Sequence, residues 1–259
     1  MGHVVFIGAG PGAADLLTLR GANRLAQAEV VLFDALTDPA LREFAPNARW
    51  VNVGKRGFAD STGQATINAL LVKHAHECRM VVRLKGGDPS VFARLEEELI
   101  ALAQAGIACE VVPGVTSALA AAAATQRPLT RRGNGRSVSL TTAMTRDGTL
   151  HASRSADTEV FYMAGKQLAH LSRRLLAAGW PAHAPVSVVS RAGWPDQLHS
   201  DHEARDLARA ALLHAGRPTV VTVGAGAAPL TAVMTSAAQP CIAHDAAHDP
   251  AQGAVASKP

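Results

Sequence analysis

Residues Val81–Glu98 read VVRLKGGDPSVFARLEEE, and this stretch decides the fold class. The apolar run Met80–Val82 enters a Gly-Gly-Asp-Pro turn, and an amphipathic segment follows that turn. A strand, a glycine turn and a helix in this order are typical of α/β proteins that hold a ligand against bare backbone. Gly86–Gly87 place no side chain between the backbone and the ligand, and either glycine can take a positive φ. Asp88 predicts a hydrogen-bond acceptor in the turn, and Pro89 predicts the first position of the helix.

The composition is that of a protein with hydrophobic cores. The 259 residues are enough for two modest domains, and 48% of them are apolar. Aromatic residues make up only 4%, so Ala, Val and Leu must build the cores. No apolar run approaches the roughly 20 residues that span a bilayer, so we expect no membrane segment. The N-terminus shows no secretory pattern, and the three cysteines are widely spaced, which predicts a reduced, cytoplasmic protein without a disulfide framework or a metal site.

The net charge of +4 is mild, and arginines provide much of it. One interpretation is a solvated basic face. The other is a cleft for a polyanionic small molecule, because a guanidinium group pairs with a carboxylate or phosphate through two hydrogen bonds. No basic run is interleaved with aromatic residues, so we do not expect the chain to bind nucleic acid.

Strand-like and helix-like runs alternate along the chain, which predicts parallel α/β layers. In the first half the predicted strands are Val4–Ile7, Val30–Phe33, Trp50–Val53, Met80–Leu84 and Cys109–Val112, and the predicted helices are Leu16–Gln27, Gln64–Glu77, Pro89–Ala105 and Thr116–Ala124. In the second half we predict a helix over Lys166–Ala178 and strands over Ser137–Thr142, Glu159–Met163, Val186–Ser190, Leu198–Ala204 and Val220–Val223. The predicted organisation is one α/β domain over residues 1–113, a second over 114–236, and a disordered tail over 237–259, where periodicity is lost.

A short glycine motif near the N-terminus allows a different interpretation. Gly8–Ala13 follows the first predicted strand and satisfies the dinucleotide-binding pattern G-x-G-x-x-A. Asp34, at the end of the second predicted strand, resembles the acid that holds a ribose in such proteins. An NAD(P)-binding Rossmann reductase is therefore one alternative. Pro11 argues against it, because proline removes a backbone donor from the turn that would face a pyrophosphate.

A longer string, Gly8–Leu19, reads G-x-G-P-G-x-x-x-L-L-T-L and resembles the opening of the tetrapyrrole methylase family. RLKGGDP at Arg83–Pro89 is similar to the signature of the uroporphyrinogen-III C-methyltransferases of that family. Further blocks resemble the family in the same order, so that the likeness covers about residues 3–225: VVLFD at Val30–Asp34, GKR at Gly54–Arg56, Ser61–Asn68, VVPGVTSA at Val111–Ala118, PLTRR at Pro128–Arg132 and VFYM at Val160–Met163.

The resemblance implies a tetrapyrrole methylase-like fold, with two α/β domains and a ligand cleft between them. It implies methylation of uroporphyrinogen III at carbon, on rings A and B, with S-adenosyl-L-methionine (SAM) as the methyl donor. The products are precorrin-2, an intermediate of sirohaem and cobalamin-type biosynthesis, and S-adenosyl-L-homocysteine (SAH). It further implies a homodimer and no need for a metal.

The resemblance also assigns residues by motif position. The residues that it implies for SAM binding are Pro11, Gly86, Gly87, Asp88, Val91, Thr116, Ser117, Met163 and Ala192. It implies Asp34 as the catalytic base and Lys55 as the catalytic acid. Arg94 and Glu97 form a second catalytic pair, for substrate grip or proton removal. The arginines that would pair with substrate carboxylates are Arg56, Arg83, Arg131 and Arg132.

The same residues have plainer interpretations. Without the resemblance, the sequence would predict a strand-end carboxylate at Asp34, a surface lysine at Lys55 and a solvated helix face at Glu96–Glu98. The chain departs from the family pattern at Ala13, Leu95, Arg131 and Ala192. Those departures keep two alternatives open, a methylase that acts on a later corrinoid precursor and a SAM-binding module without catalytic activity.

Overall fold

The computed structural model describes residues 2–54, 63–144 and 150–230, and two five-stranded sheets organise them. The first sheet contains, in spatial order, β3 (Arg49–Asn52), β2 (Val30–Phe33), β4 (Met80–Lys85), β1 (His3–Gly8) and β5 (Cys109–Val112). All of its pairings are parallel, which confirms the prediction for this half of the chain. The carboxyl ends of its strands therefore meet at one edge.

Helices cover both faces of the first sheet. Val4 and Phe6 pack in one core cluster with α2 (Gln64–Glu77) and α3 (Leu95–Gln104), while Val5 and Ile7 pack in another with α1 (Leu19–Leu25). All four of these β1 side chains are fully buried. A strand buried on both faces has a continuous apolar sequence rather than an alternating one, and this is why the run was recognisable as a strand.

The predicted start of α3 is wrong. The helix begins at Leu95, six residues after Pro89, because the intervening segment does not hold a helical backbone. Phe92 and Arg94 adopt φ values of 51° and 55°, in the left-handed region. Asp88, which precedes the segment, accepts a hydrogen bond from the backbone N–H two residues further on and so closes a local turn.

The predicted start of α1 is also wrong. A 3₁₀ turn at Ala14–Leu16 comes first, and the α-helix begins at Leu19. Thr18 is its cap, because its hydroxyl accepts a hydrogen bond from the backbone N–H of Gly21 at 3.1 Å. The apolar periodicity predicted a helical segment here, but it did not predict that Thr18 would separate the 3₁₀ turn from the α-helix.

The second sheet contains, in spatial order, β6 (Val138–Thr142), β7 (Thr158–Tyr162), β10 (Thr219–Gly224), β8 (Pro185–Ser190) and β9 (Leu198–Glu203). Of its described pairings, β6 with β7 is parallel and the others are antiparallel, so the prediction of parallel layers is wrong here. Residues 191–197, which join β8 to β9, are too few to contain the crossover helix that parallel neighbours need. The helices described in this half are α4 (Ser117–Ala124), α5 (Leu168–Ala177) and α6 (Ala211–His214).

The two sheets lie in one compact unit, which includes the described residues up to Ala228. The first sheet ends at Val112 and the second begins at Val138, on either side of the predicted boundary at residue 113. The division into domains 1–113 and 114–236 stays a prediction, and the tail 237–259 lies outside the described residues. No helix of the described part of the chain is long and apolar enough to cross a membrane.

Candidate active-site cleft

A cleft of about 230 Å³ lies where the carboxyl-terminal edge of the first sheet meets loops of the second sheet. All nine residues that the resemblance assigns to SAM line this cleft, namely Pro11, Gly86, Gly87, Asp88, Val91, Thr116, Ser117, Met163 and Ala192. They come from loops that are distant in sequence, and only the fold brings them together. A larger hollow of about 460 Å³ lies around Arg154 and Asp157 and contains none of the predicted site residues.

Glycines allow the loops at this edge to touch backbone to backbone. The N–H of Gly87 donates to the carbonyl of Gly10 at 2.7 Å, and the N–H of Gly10 donates back at 3.2 Å. A Cβ on Gly8 would lie only 2.5 Å from the Cα of Gly114, so a larger residue does not fit there. Gly87 itself has a φ of +70°, and a Cβ on it would approach nothing closer than 3.9 Å. Its Cα therefore faces open cleft, as the sequence predicted.

Asp88 uses both carboxylate oxygens to hold this edge in place. Oδ1 accepts from the N–H of Ser90 at 2.7 Å, and Oδ2 accepts from the N–H of Gly114 at 2.9 Å. The second bond ties the turn after β4 to the loop after β5. Asp88 thus lines the cleft and also shapes it.

Tyr162, the one tyrosine of the sequence, forms part of the opposite wall. Its hydroxyl and the Oγ1 of Thr116 are 2.8 Å apart, and its ring packs edge-on against Phe92 with centroids 5.0 Å apart. Burial raises the pKa of the Tyr162 phenol, so the group stays neutral near pH 7. The contacts join the two halves of the chain across the cleft.

Three residues of the cleft other than glycine have a left-handed backbone. The φ values are 51° at Phe92, 57° at Met163 and 52° at Arg191. Such conformations cost about 1–3 kcal/mol each, persist only where the surroundings enforce them, and cluster at functional sites. These three residues change the direction of the backbone beside the cleft, and the periodicity of the sequence does not predict such turns.

Trp194 closes one end of the cleft and bridges the two halves. Its indole N–H donates to the carbonyl of Pro11 at 3.1 Å, and the guanidinium of Arg191 lies 4.2 Å from its ring centroid. A Cβ on Gly12 would lie 2.2 Å from the indole ring, so this glycine is required for the contact. No sequence pattern indicated Trp194, because the contact joins residues 183 positions apart.

Several other residues that line the cleft were not among the predicted site residues, namely Gly10, Leu36, Phe92, Tyr162, Arg191 and Thr219. Tyr162 could have been predicted as a site residue, since it is the neighbour of Met163 in the VFYM block. Phe92 could also have been predicted as a site residue, because it lies in the segment Val81–Glu98. Gly10 belongs to the Gly8–Leu19 motif, and Thr219 begins β10. Leu36 and Arg191 lie in loops, where no periodic pattern indicates a site.

Asp34 lies at the same edge of the first sheet, directly after β2. Its backbone N–H donates to the carbonyl of Leu84, and its Oδ1 accepts from Nη2 of Arg83 at 2.7 Å. The Asp34 side chain keeps 31% of its surface exposed, whereas that of Arg83 keeps 3%. Arg83 is thus a buried partner of Asp34, a position that does not favour the predicted contact with a substrate carboxylate.

Arg94 and Glu97 form an exposed bidentate pair at the start of α3. The Nε and Nη2 of Arg94 lie 2.7 and 2.6 Å from the two carboxylate oxygens of Glu97. The pair follows the turn that contains Val91 and Phe92, and both of those residues line the cleft. An exposed guanidinium beside the cleft suits an anionic substrate, and its role stays a prediction.

Arg131 and Arg132 are not among the described residues that line the cleft. Arg131 forms an antiparallel bridge with Gly135, and its Nη2 donates to the carbonyl of Ala228. Arg132 is exposed. Lys55 and Arg56 lie outside the described residues. Gly54, which precedes Lys55, packs so closely against the backbone of Asp34 and the next residue that a Cβ on it would overlap that backbone.

A sequence model of the tetrapyrrole (corrin/porphyrin) methylases matches residues 3–208, which include almost all of both sheets. The chain belongs to this family. The methylase is 42% identical to uroporphyrinogen-III C-methyltransferase of Pseudomonas aeruginosa over 232 residues, which are 86% of this chain and 93% of that protein. It is 44% identical over 234 residues to siroheme synthase 1 of Pectobacterium atrosepticum, and the match covers 86% of this chain but only 48% of that protein. The methylase therefore spans about half the length of the siroheme synthases that it matches.

The fold of the methylase also matches a solved structure. Uroporphyrin-III C-methyltransferase from Thermus thermophilus, complexed with S-adenosyl homocysteine, superposes with a TM-score of 0.76 at 34% identity. The match covers 86% of the methylase and 97% of that chain. The two-sheet fold thus belongs to the architecture of the family.

Proposed function

We propose that this methylase transfers methyl groups from SAM to carbon atoms on rings A and B of uroporphyrinogen III, giving precorrin-2 and SAH. One observation carries the proposal: the nine residues that motif position assigns to SAM line a single cleft between the two sheets. The named activity of the Pseudomonas aeruginosa relative and the SAH complex of the Thermus thermophilus relative support it. The family match gives no support to the NAD(P) alternative.

The described residues fit SAM in both shape and chemistry. Gly86 and Gly87 leave bare backbone along one wall, and a Cβ on Gly86 would come no closer than 3.7 Å to Leu36. The opposite wall offers the Tyr162 and Thr116 hydroxyls beside the apolar side chains of Met163 and Val189. A few convergent polar groups in an apolar cleft are typical of cofactor sites.

The chain's own residues would orient the reactants and move a proton. When bound, SAM supplies a methyl group on a sulfonium sulfur, and C–C bond formation with an electron-rich pyrrole carbon releases SAH. The walls of the cleft would hold the two reacting atoms in line and exclude water, which accounts for much of the rate enhancement in such transfers. Asp34, partly exposed at the edge of the first sheet, would take the proton that the macrocycle must lose afterwards. Arg94 would pair with a substrate carboxylate by exchanging its partner Glu97 for it.

We also propose that the methylase is a cytoplasmic homodimer and that its product enters sirohaem or cobalamin-type synthesis. The wide spacing of the three cysteines supports the location, and the family resemblance supports the dimer. Sedimentation velocity of the purified chain tests the dimer directly.

The experiment for the activity is an anaerobic incubation of the full chain with SAM and enzymatically generated uroporphyrinogen III, followed by mass spectrometry of the tetrapyrrole. We expect a gain of two methyl groups per macrocycle together with release of SAH. A matched incubation with a later corrinoid precursor tests the first alternative. Methylation of that precursor alone would replace the proposed substrate, and SAH binding without any methylation would favour a binding module.

A further inference from the structure

A continuous network of ion pairs near the end of β4 joins four charged side chains: Asp34, Arg83, Glu98 and Lys85. Arg83 lies between Asp34 and Glu98, with Nη2 2.7 Å from Asp34 Oδ1 and Nε 3.3 Å from Glu98 Oε1. Lys85 Nζ lies 2.8 Å from Glu98 Oε2. The side chains of Arg83, Lys85 and Glu98 are each at most 3% exposed, and of the four only Asp34 reaches solvent, at the edge of the sheet. The two cations balance the two anions.

Each nitrogen of the Arg83 guanidinium group has a hydrogen-bond partner in the protein. Besides the two carboxylates, its Nη1 donates to the carbonyl of Leu84 at 3.1 Å and reaches that of Leu32 at 3.5 Å. The planar fork allows few orientations, so these contacts also fix where Nη2 presents its hydrogen to Asp34. The sequence assigned Arg83 to a substrate carboxylate, whereas its contacts are with the protein.

Glu98 is the residue on which the network depends. Its side chain has no exposure, and it accepts hydrogen bonds from Arg83, from Lys85 and from Gln64 Nε2 at 3.2 Å. These partners come from β4 and from the first residue of α2, while Glu98 itself lies in the first turn of α3. Burial and the neighbouring Arg83 lower the pKa of Lys85, and Glu98 opposes that shift. A buried carboxylate with this set of partners holds both cations in place.

We propose that Glu98, acting through Arg83, is a positioning residue that fixes the carboxylate of Asp34 at the carboxyl-terminal edge of the first sheet, two residues before Leu36, which lines the cleft. The inference rests on the proposed function, because it assigns Asp34 to the proton transfer. Asp34 follows a strand and has solvent on one side, so without the Arg83 fork its carboxylate would rotate freely. The fork in turn is oriented by Glu98, which does not reach the cleft.

A double-mutant cycle tests this coupling in the full chain. The variants are Glu98→Gln, Asp34→Asn and the double variant, and the readouts are kcat, the KM for uroporphyrinogen III, and the Kd for SAH by calorimetry. We expect Glu98→Gln to lower kcat by about tenfold or more while the Kd for SAH changes by less than about twofold. In the Asp34→Asn background the same change should cost less than about twofold, because the residue through which Glu98 acts is already disabled.

Two further variants sharpen the cycle. Glu96→Gln is the matched control, since it removes a carboxylate from an exposed position in the same helical turn. It should leave every parameter unchanged. If Glu98→Gln does not fold, Arg83→Lys keeps the charge but loses the fork, and we expect it to show the same loss of kcat and the same lack of additivity with Asp34→Asn. Independent, multiplicative losses, or a parallel loss of SAH binding, would overturn the positioning role.

A crystal structure of Glu98→Gln, or of Arg83→Lys, separates this inference from the proposed function. We expect Asp34 to lose its 2.7 Å contact with residue 83 while the Gly86–Asp88 turn stays in place. An unmoved Asp34 would overturn the inference whatever the activity. A wild-type chain that does not methylate uroporphyrinogen III would overturn the proposed function and leave the structural readout valid.

Discussion

His214 shows how much a single buried residue can decide. Its ring has no exposure, and each nitrogen meets a hydroxyl, with Nδ1 2.6 Å from Ser190 Oγ and Nε2 2.8 Å from Ser200 Oγ. Ser190 also contacts Thr219, which lines the cleft, at 2.8 Å. A neutral imidazole satisfies this arrangement by donating at one nitrogen and accepting at the other.

We predict that the methylase loses stability in mild acid because of His214. Burial lowers the pKa of His214 below its usual value of 6.5, and the nearby His202, Arg217 and His199 add to the shift. Below about pH 6.5 the unfolded chain therefore binds a proton that the folded chain rejects, and the free energy of unfolding falls as the pH falls. Thermal unfolding between pH 8 and pH 5 should show a flatter pH dependence for His214→Gln than for wild type.

An exposed histidine supplies the control for this prediction. His183→Gln should keep the wild-type pH dependence, because His183 is exposed. His199 has a pKa that is also lowered, mainly by burial, so part of the acid sensitivity should persist in His214→Gln. Identical slopes in wild type and His214→Gln would assign the effect to other groups.

Among the elements, the strand–turn–helix unit from β4 to α3 contributes most to the cleft. The sequence predicted its strand and its glycine turn, and the structure confirms both. It did not predict the delay of α3 to Leu95, because the left-handed backbone at Phe92 and Arg94 is not a local preference of these residues. The Phe92 ring packs against Tyr162, a contact between segments distant in sequence. That delay brings Phe92 against Tyr162 and leaves Arg94 beside the cleft.

We predict that Gly87→Val abolishes SAH binding while the chain still folds. The new side chain would extend into the cleft, because Cβ has open space there. Gly106→Val is the matched control, since Gly106 has a similar φ of +67° and nothing lies within 4 Å of its Cβ position. Both variants should lose about 1–3 kcal/mol of stability through backbone strain. Calorimetric titration with SAH should then separate them, and equal affinities would remove the turn from the cofactor site.

At the scale of the whole molecule, one ligand site is lined by residues of both sheets. A ligand bound there should stabilise both halves together. We predict a single calorimetric transition that SAH moves upward as a unit, because the described residues up to Ala228 form one compact body. At 100 times its Kd a ligand adds about 2.7 kcal/mol, which corresponds to a rise in Tm of about 5–11 °C for a protein of this size.

Scanning calorimetry with and without SAH checks this prediction. Two transitions of which only one shifts would show that the halves unfold separately and that one of them carries most of the affinity. Adenosine at the same concentration is a useful comparison, because it lacks the amino-acid part of the ligand. A smaller shift with adenosine would show that the site engages that part as well.

The sequence by itself determined the strands of the first sheet and their parallel pairing, and it singled out nine residues that line one cleft. Continuous apolar runs such as Val4–Ile7 and the glycine turn at Gly86–Asp88 are local signals, since one strand or one turn produces each of them. The position of the family motifs assigned nine residues to SAM, and all nine line one cleft.

Only the tertiary structure decided the contacts between distant segments. The resemblance assigned Arg83 to a substrate carboxylate, whereas the fold buries it between Asp34 and Glu98. Trp194 reaches Pro11 across 183 residues, which no local pattern records. The physical reason is the same in each case: a charge or an aromatic ring has a partner only after the chain has folded, and the partner decides what the residue does.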